Sequence, residues 1–195
     1  HRKQLRLITK ARFKLNAHMQ DLDYQNARQL KREQVAQLAT CDWLHKGQNL
    51  LITGPCGSGK TWLACALGHT ACLRDYSVRY YRLSRLFVEM TQAKAEGSYQ
   101  RLLQQLAKTR LLILDDWGLE TLDPAARHDL MEIMDDRYGH GSTLIISQLP
   151  TDQWYATIGD NTLADAILDR LMHNAHRINL KGESMRKKRA ALDPS

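Results

Sequence analysis

An apolar run of strand length, Asn49 to Thr53, is followed at once by GPCGSGKT, Gly54 to Thr61, and then by a helix-type pattern reaching Leu73. The spacing G-x-x-x-x-G-K-[ST] has a physical meaning when a strand delivers it and a helix continues from it, and both flanks are present. Glycines let successive backbone N–H groups turn inward, and the start of the helix adds partial positive charge, so such a loop is built to hold a row of phosphates. The cradle is then Gly54, Pro55, Cys56, Gly57, Ser58, Gly59, Lys60 and Thr61. In it Lys60 reaches the terminal phosphates of ATP as a point charge, and the Thr61 hydroxyl is a ligand for Mg²⁺. A glycine-rich turn arising by chance would not come with this strand before it and this helix after it.

Some fifty residues on, LLILDD, Leu111 to Asp116, supplies an apolar strand that ends in two acids. Asp115 is expected beside the loop as the second Mg²⁺ contact, through water, and Asp116 is expected to orient or deprotonate the attacking water. Taken alone, two acids could merely end a strand. STLIISQ, ending at Ser147 and Gln148, is another apolar strand whose polar end could sense a terminal phosphate. Asp169-Arg170-Leu171 lies on a helix, where Arg170 is either an ordinary surface arginine or a finger reaching a neighbour's nucleotide.

The remaining pattern predicts a helical stripe from Gln29 to Leu44 and a strand at Ser77–Tyr81. It also predicts helices at Ser84–Ala95 and Tyr99–Lys108, and a helix opened by Asp123 and Pro124 and running to about Tyr138. A helix capped by Thr162 and running to Met172 precedes a last strand at His176–Leu180. Strands that alternate with helices, and are apolar throughout instead of every second residue, imply a parallel sheet covered on both faces.

Charge is unevenly placed in the 195 residues, whose net charge is +7. Arg2, Lys3, Arg6, Lys10, Arg12 and Lys14 open the chain without an acid, and Lys181, Arg186, Lys187, Lys188 and Arg189 crowd its other end, leaving a slightly acidic middle. Basic ends suit a polyanion, although solvated termini would look the same. No apolar run approaches the ~20 residues of a membrane span. Cys41, Cys56, Cys65 and Cys72 form no CxxC pair, and His173 and His176 lack partners for a zinc set, so a reducing cytoplasm is expected.

Four segments together carry a resemblance: LLITGPCGSGKTWLACALGH, LLILDDWGLETL, STLIISQLP and LADAILDRLMHNAHRINLKGESMRKKR. In colinear order, over about Ala11 to Arg189, they resemble the IstB family of transposition helper ATPases, AAA+ relatives of the DnaC-type helicase loaders. The resemblance implies a three-layer α/β P-loop NTPase with strand order 5-1-4-3-2, and ATP bound between subunits. It also implies ATP-dependent assembly on duplex DNA and a partnership with an IstA-type transposase. It carries over roles for Lys60, Thr61, Asp115 and Asp116, for Gln148 as sensor and for Arg170 as finger, and it places Tyr24, in MQDLDY, beside the adenine. Residues 1–14 are expected to be the basic end of a missing N-terminal region and 15–195 the ATPase domain, without a C-terminal helical lid; Arg186 is the one candidate for a sensor from that side. Arg85, Lys94 and Arg101, after the second strand, are candidates to grip DNA, with Lys187 and Lys188, although all could be solvated charges. The competing readings are a helicase loader and a P-loop phosphotransferase acting on a small molecule. The second would need an acceptor pocket or a lid-like insertion, and neither is evident in the sequence.

Overall fold

The five strands alternate with helices along the chain because each apolar run is too short for anything but one pass through a core. The computed structural model describes residues 1–23 and 30–181. In it β1 (Asn49–Thr53), β2 (Val78–Arg82), β3 (Leu111–Trp117), β4 (Ser142–Ser147) and β5 (Ala175–Asn179) form one sheet in the order β2-β3-β4-β1-β5, parallel at every pairing. This is the expected order 5-1-4-3-2 read from the other edge. Side chains alternate across the strands, so Leu50, Ile52, Ile113 and Ile146 enter one core and Leu51, Leu112, Leu114 and Ile145 the other. Burial on both faces is why the strands read as continuous apolar runs.

On the first face lie α1 (Arg2–Ala11), α2 (Arg32–Ala39), the short α3 (Asp42–His45) and the central α4 (Lys60–Leu73). Helix α1 is a folded part of this layer. Leu7, Ile8 and Ala11 turn inward, Gln4 Nε2 donates to the Leu73 carbonyl at 2.9 Å, and Arg2, Lys3, Arg6 and Lys10 all face out. Phe13 then closes on Gly68 of α4, where a Cβ would stand 2.5 Å from its ring. The expected helix at 29–44 is divided at Cys41, whose φ of 64° ends α2 and starts α3.

On the second face lie α5 (Leu83–Glu96), α6 (Tyr99–Lys108), α7 (Pro124–Arg137), α8 (Trp154–Ile158) and α9 (Asn161–Met172). Asp123 caps α7 as expected, its Oδ1 accepting from Ala126 N at 2.8 Å. The cap of α9 is Asp160, not Thr162: Asp160 Oδ1 accepts from Leu163 N at 2.9 Å, and the carboxylate is the better partner for exposed N–H groups. The short α8 had no signal beyond Trp154, a fully buried side chain whose indole donates to the Leu149 carbonyl. At the amino edge of the sheet Arg137 is buried and donates to the carbonyls of Leu106, Thr109 and Ser142, tying α6, α7 and β4 together.

Candidate nucleotide site

Strand β1 delivers the chain to Gly54, where φ is +153° and a Cβ would lie 2.5 Å from the Leu180 carbonyl oxygen, so only glycine fits. The loop then turns back, and Gly59 leads into α4 with Lys60 as its first residue. Lys60 is 8% exposed, and its Nζ donates to the Pro55 carbonyl at 2.8 Å. Burial pushes its ammonium below the ordinary lysine range, an effect opposed by Cys56, Asp115 and Asp116 nearby. A desolvated cation resting on a loop carbonyl gains by exchanging it for a phosphate oxygen. Ser58 Oγ is buried in the same loop without a hydrogen-bond partner among the described residues, which also suits a ligand oxygen.

Asp115 lies 3% exposed near the end of β3. Its Oδ2 accepts from Thr61 Oγ1 at 2.9 Å and from the Tyr80 hydroxyl, and its Oδ1 accepts from the backbone N–H of Asp116 at 2.7 Å. Burial first, then the bond to Asp115, raises the Tyr80 phenol far above its usual range, so Tyr80 stays a donor at any working pH. Thr61 and Asp115 therefore place a hydroxyl and a carboxylate together at the mouth of the loop. Two hard oxygens with only one charge suit Mg²⁺, which keeps most of its shell as water and phosphate, better than Ca²⁺ or Zn²⁺.

Asp116 sits in β3 where its pairing is interrupted. Its φ is 60°, the pairing of β3 with β4 shifts register between Leu114 and Trp117, and its Oδ2 accepts from Arg82 Nε at 3.0 Å. Ser147 is occupied elsewhere: its buried hydroxyl donates to the Trp117 carbonyl at 2.6 Å and accepts from Leu149 N. Gln148 is exposed and borders a cavity of about 510 Å³, shared with Gly54, Pro55 and Asn179, at the carboxyl ends of β1, β4 and β5.

Arg170 is remote from this loop. The turn after it sits against the start of β1, where Asn49 Nδ2 donates to the Leu171 carbonyl at 2.9 Å, while the phosphate loop leaves the other end of that strand. Arg85 on α5 and Arg101 on α6 are exposed. Lys94 on α5 is held by an acid. Its Nζ is paired with Asp129 at 2.8 Å and lies 5.0 Å from the centroid of the Tyr99 ring. The Asp129 side chain is only 2% exposed, so Lys94 neutralises a buried acid. Tyr24, Arg186, Lys187 and Lys188 lie outside the described residues. No helix among the described residues is long and apolar enough to cross a membrane.

The family model described as IstB-like ATP binding protein matches residues 1–192. The chain belongs to the IstB-like ATP-binding family. An insertion-sequence ATP-binding protein of Sinorhizobium fredii is 54% identical over 177 residues, covering 91% of this chain and 72% of that protein. The ATP-binding protein of insertion sequence IS21 from Pseudomonas aeruginosa is 34% identical over 181 residues, 93% of this chain and 68% of that one. The crystal structure of DnaI superimposes with a TM-score of 0.71 at 21% identity, over 87% of this chain and 90% of that chain, so the fold is that of AAA+ P-loop NTPases.

Within this IstB-like framework, two side chains at the site had no signal in the sequence reading. Tyr80 and Arg82 belong to β2, whose residues alternate between the two faces, and only the pairing of β2 with β3 brings them opposite Ile113 and Asp115. Tyr80 and Arg82 stand two residues apart in VRYYR and so share a face of β2, which was the one available hint.

Proposed function

We propose that this IstB-like chain is a Mg²⁺-dependent ATPase that assembles with further copies of itself on duplex DNA when ATP is bound. In that state it assists an IstA-type transposase in choosing and using a target, in the cytoplasm. The observation that carries the reading is the convergence at the phosphate loop: Lys60 at the first turn of α4, and Thr61 Oγ1 2.9 Å from Asp115 Oδ2.

The roles follow from position. Loop N–H groups and Lys60 hold the β- and γ-phosphates, and the dipole of α4 favours the same charge. Thr61 and Asp115 would hold Mg²⁺, which would supply positive charge against the charge that develops on the phosphates. Tyr80 keeps Asp115 pointed at Thr61. Asp116, once released from Arg82, takes the proton of the attacking water, and Gln148 reads the terminal phosphate from the rim of the loop. Tyr24 borders the adenine. Arg170, at the far edge of the sheet, serves the nucleotide of a neighbouring copy. Arg85 and Arg101 on the second face, together with Lys187 and Lys188, meet the DNA backbone.

The test is Asp116→Asn. ATP binding persists, because the cradle is untouched, and turnover falls by about 10²-fold or more, the scale of general-base catalysis. Turnover at the parent rate would remove Asp116 from the mechanism.

A further inference from the structure

At the amino edge of the sheet, where β1 and β4 begin, a notch of about 160 Å³ is bordered by Lys46, Arg137, Arg170 and His173, and no carboxylate lines it among the described residues. Its cations are held unequally. Arg137 is fixed on carbonyl and hydroxyl oxygens, from Leu106, Thr109, Arg110, Ser142 and Thr143, so neutral dipoles surround its charge. Arg170 donates from Nε to Asp135 at 3.0 Å and from Nη1 to the Ala166 carbonyl at 3.0 Å, which sets its guanidinium along α9. Lys46 pairs with Asp42 at 2.9 Å, but both side chains are more than half exposed, and such a pair is worth about 0–1 kcal/mol. Lys46 can therefore leave its partner at little cost.

The size of the notch says what it can take. Whole small-molecule ligands occupy roughly 300 Å³ or more. At ~30 Å³ for each water, this space holds about five, which suits a phosphoryl group presented by something else and not a nucleotide of its own. The chain's own ATP cannot present it. The five residues of β1, at ~3.3 Å each, put the phosphate loop roughly 16 Å away at the opposite edge. A recess bordered by cations, lined by no carboxylate among the described residues, too small for a nucleotide and turned away from the chain's own loop suits a phosphate brought by another molecule.

Resting on the reading above, in which Arg170 serves the nucleotide of a neighbouring copy, we propose that Lys46 joins Arg170 on the terminal phosphate of that copy's ATP, with Asp135 acting as the positioning residue for Arg170. Two cations from one copy would then face the phosphate held by Lys60 of the other. Arg137 stays on its carbonyls and adds field without contact. Assembly and nucleotide state become linked, since the two cations gain a partner only when a neighbour carries ATP.

The experiment uses the full chain with saturating ATP and duplex DNA. Lys46→Ala keeps the fold, because only an exposed i,i+4 pair is lost, and hydrolysis falls roughly tenfold, the scale of one charge-assisted hydrogen bond. Lys46→Arg retains most of the rate, as a purely local structural role would not require. Asp135→Asn lowers kcat and leaves KM for ATP unchanged. In mixtures, Lys46→Ala with Lys60→Ala recovers activity, because each protein lacks a different half of the interface. Lys46→Ala with Arg170→Ala recovers none, because both lack the same half. Parent activity in Lys46→Ala, or recovery in that second mixture, overturns the proposal. So does a Lys46→Ala protein that binds DNA less well yet hydrolyses ATP normally on saturating DNA, which would assign the notch to DNA phosphates. The mixture of Arg170→Ala with Lys60→Ala tests the underlying reading separately. No recovery there, in samples shown by mass to co-assemble, sinks the trans-acting Arg170 itself, whereas recovery there with normal Lys46→Ala activity sinks the notch alone.

Discussion

Replacing Arg82 should speed the proposed ATP hydrolysis in the absence of DNA. Arg82 is the last residue of β2, and its Nε holds Asp116 Oδ2 at 3.0 Å. While that bond holds, the carboxylate is turned to Arg82 and not to the water it is proposed to activate, so the pair opens in each turnover. The side chains are 44% and 30% exposed, which places the pair among solvent-screened ones worth about 0.2–1 kcal/mol. With 1.36 kcal/mol for each factor of ten, Arg82→Ala raises the basal rate about 1.4- to 5-fold. Arg82 also precedes Leu83, the first residue of α5, which carries the proposed DNA contact Arg85. DNA bound there has a direct lever on the pair, so the DNA-stimulated rate changes little and the ratio of stimulated to basal rate shrinks. The assay is steady-state phosphate release at saturating ATP, with and without duplex DNA, alongside a melting curve. An exposed substitution of this kind shifts stability by about 0.5 kcal/mol or less, so the melting temperature should hold. A basal rate equal to or below the parent's, with ATP affinity and melting temperature intact, would refute the restraint by Arg82.

Other outcomes follow from the same geometry. ATP at about 100 times its Kd stabilises by roughly 2.7 kcal/mol, or some 5–10 °C in a chain of this size, and Lys60→Ala should lose most of that shift in a thermal-melt titration. Lys94→Ala leaves the Asp129 carboxylate buried with Tyr99 as its remaining side-chain partner, so it should cost about 1–3 kcal/mol of stability in denaturant unfolding while duplex DNA binding is retained. Duplex binding itself should be insensitive to sequence and fall steeply with salt. With about five phosphate contacts per subunit, log K against log salt has a slope near −4 to −5 in a fluorescence titration, and a shallow slope with strong sequence preference would contradict it.

The fold was legible because its signals are local and repeated. Apolar runs such as Leu50–Ile52 and Leu111–Leu114, each followed by a helix pattern, leave little besides a parallel sheet covered twice, and the phosphate-loop spacing names the strand that delivers the site. The bracketing acids and Lys60 were legible for the same reason. What escaped depends on contacts across the chain. The basic run at 2–14 gives no sign that Leu7, Ile8 and Ala11 pack on α4, because three inward residues among six cations read as a solvated terminus. The break at Cys41 needs a left-handed residue that no glycine announces. Arg82 with Asp116 and Lys94 with Asp129 are pairs separated by 34 and 35 residues, and only the sheet and the α5–α7 packing bring them together. Charge that looks free in a sequence can be committed in the fold, and Lys94 is the instance here.

The central claim, that ATP drives copies of this chain together on DNA, is tested most directly by mass. Single-particle or light-scattering mass is measured with ATP, ADP and no nucleotide, each with and without duplex DNA, using Asp116→Asn to keep ATP unhydrolysed. The account predicts large assemblies with ATP and DNA together, smaller species with ADP or without nucleotide, and loss of the large assemblies in Arg170→Ala. Equal mass in all six conditions, with ATP shown to be bound, would contradict it.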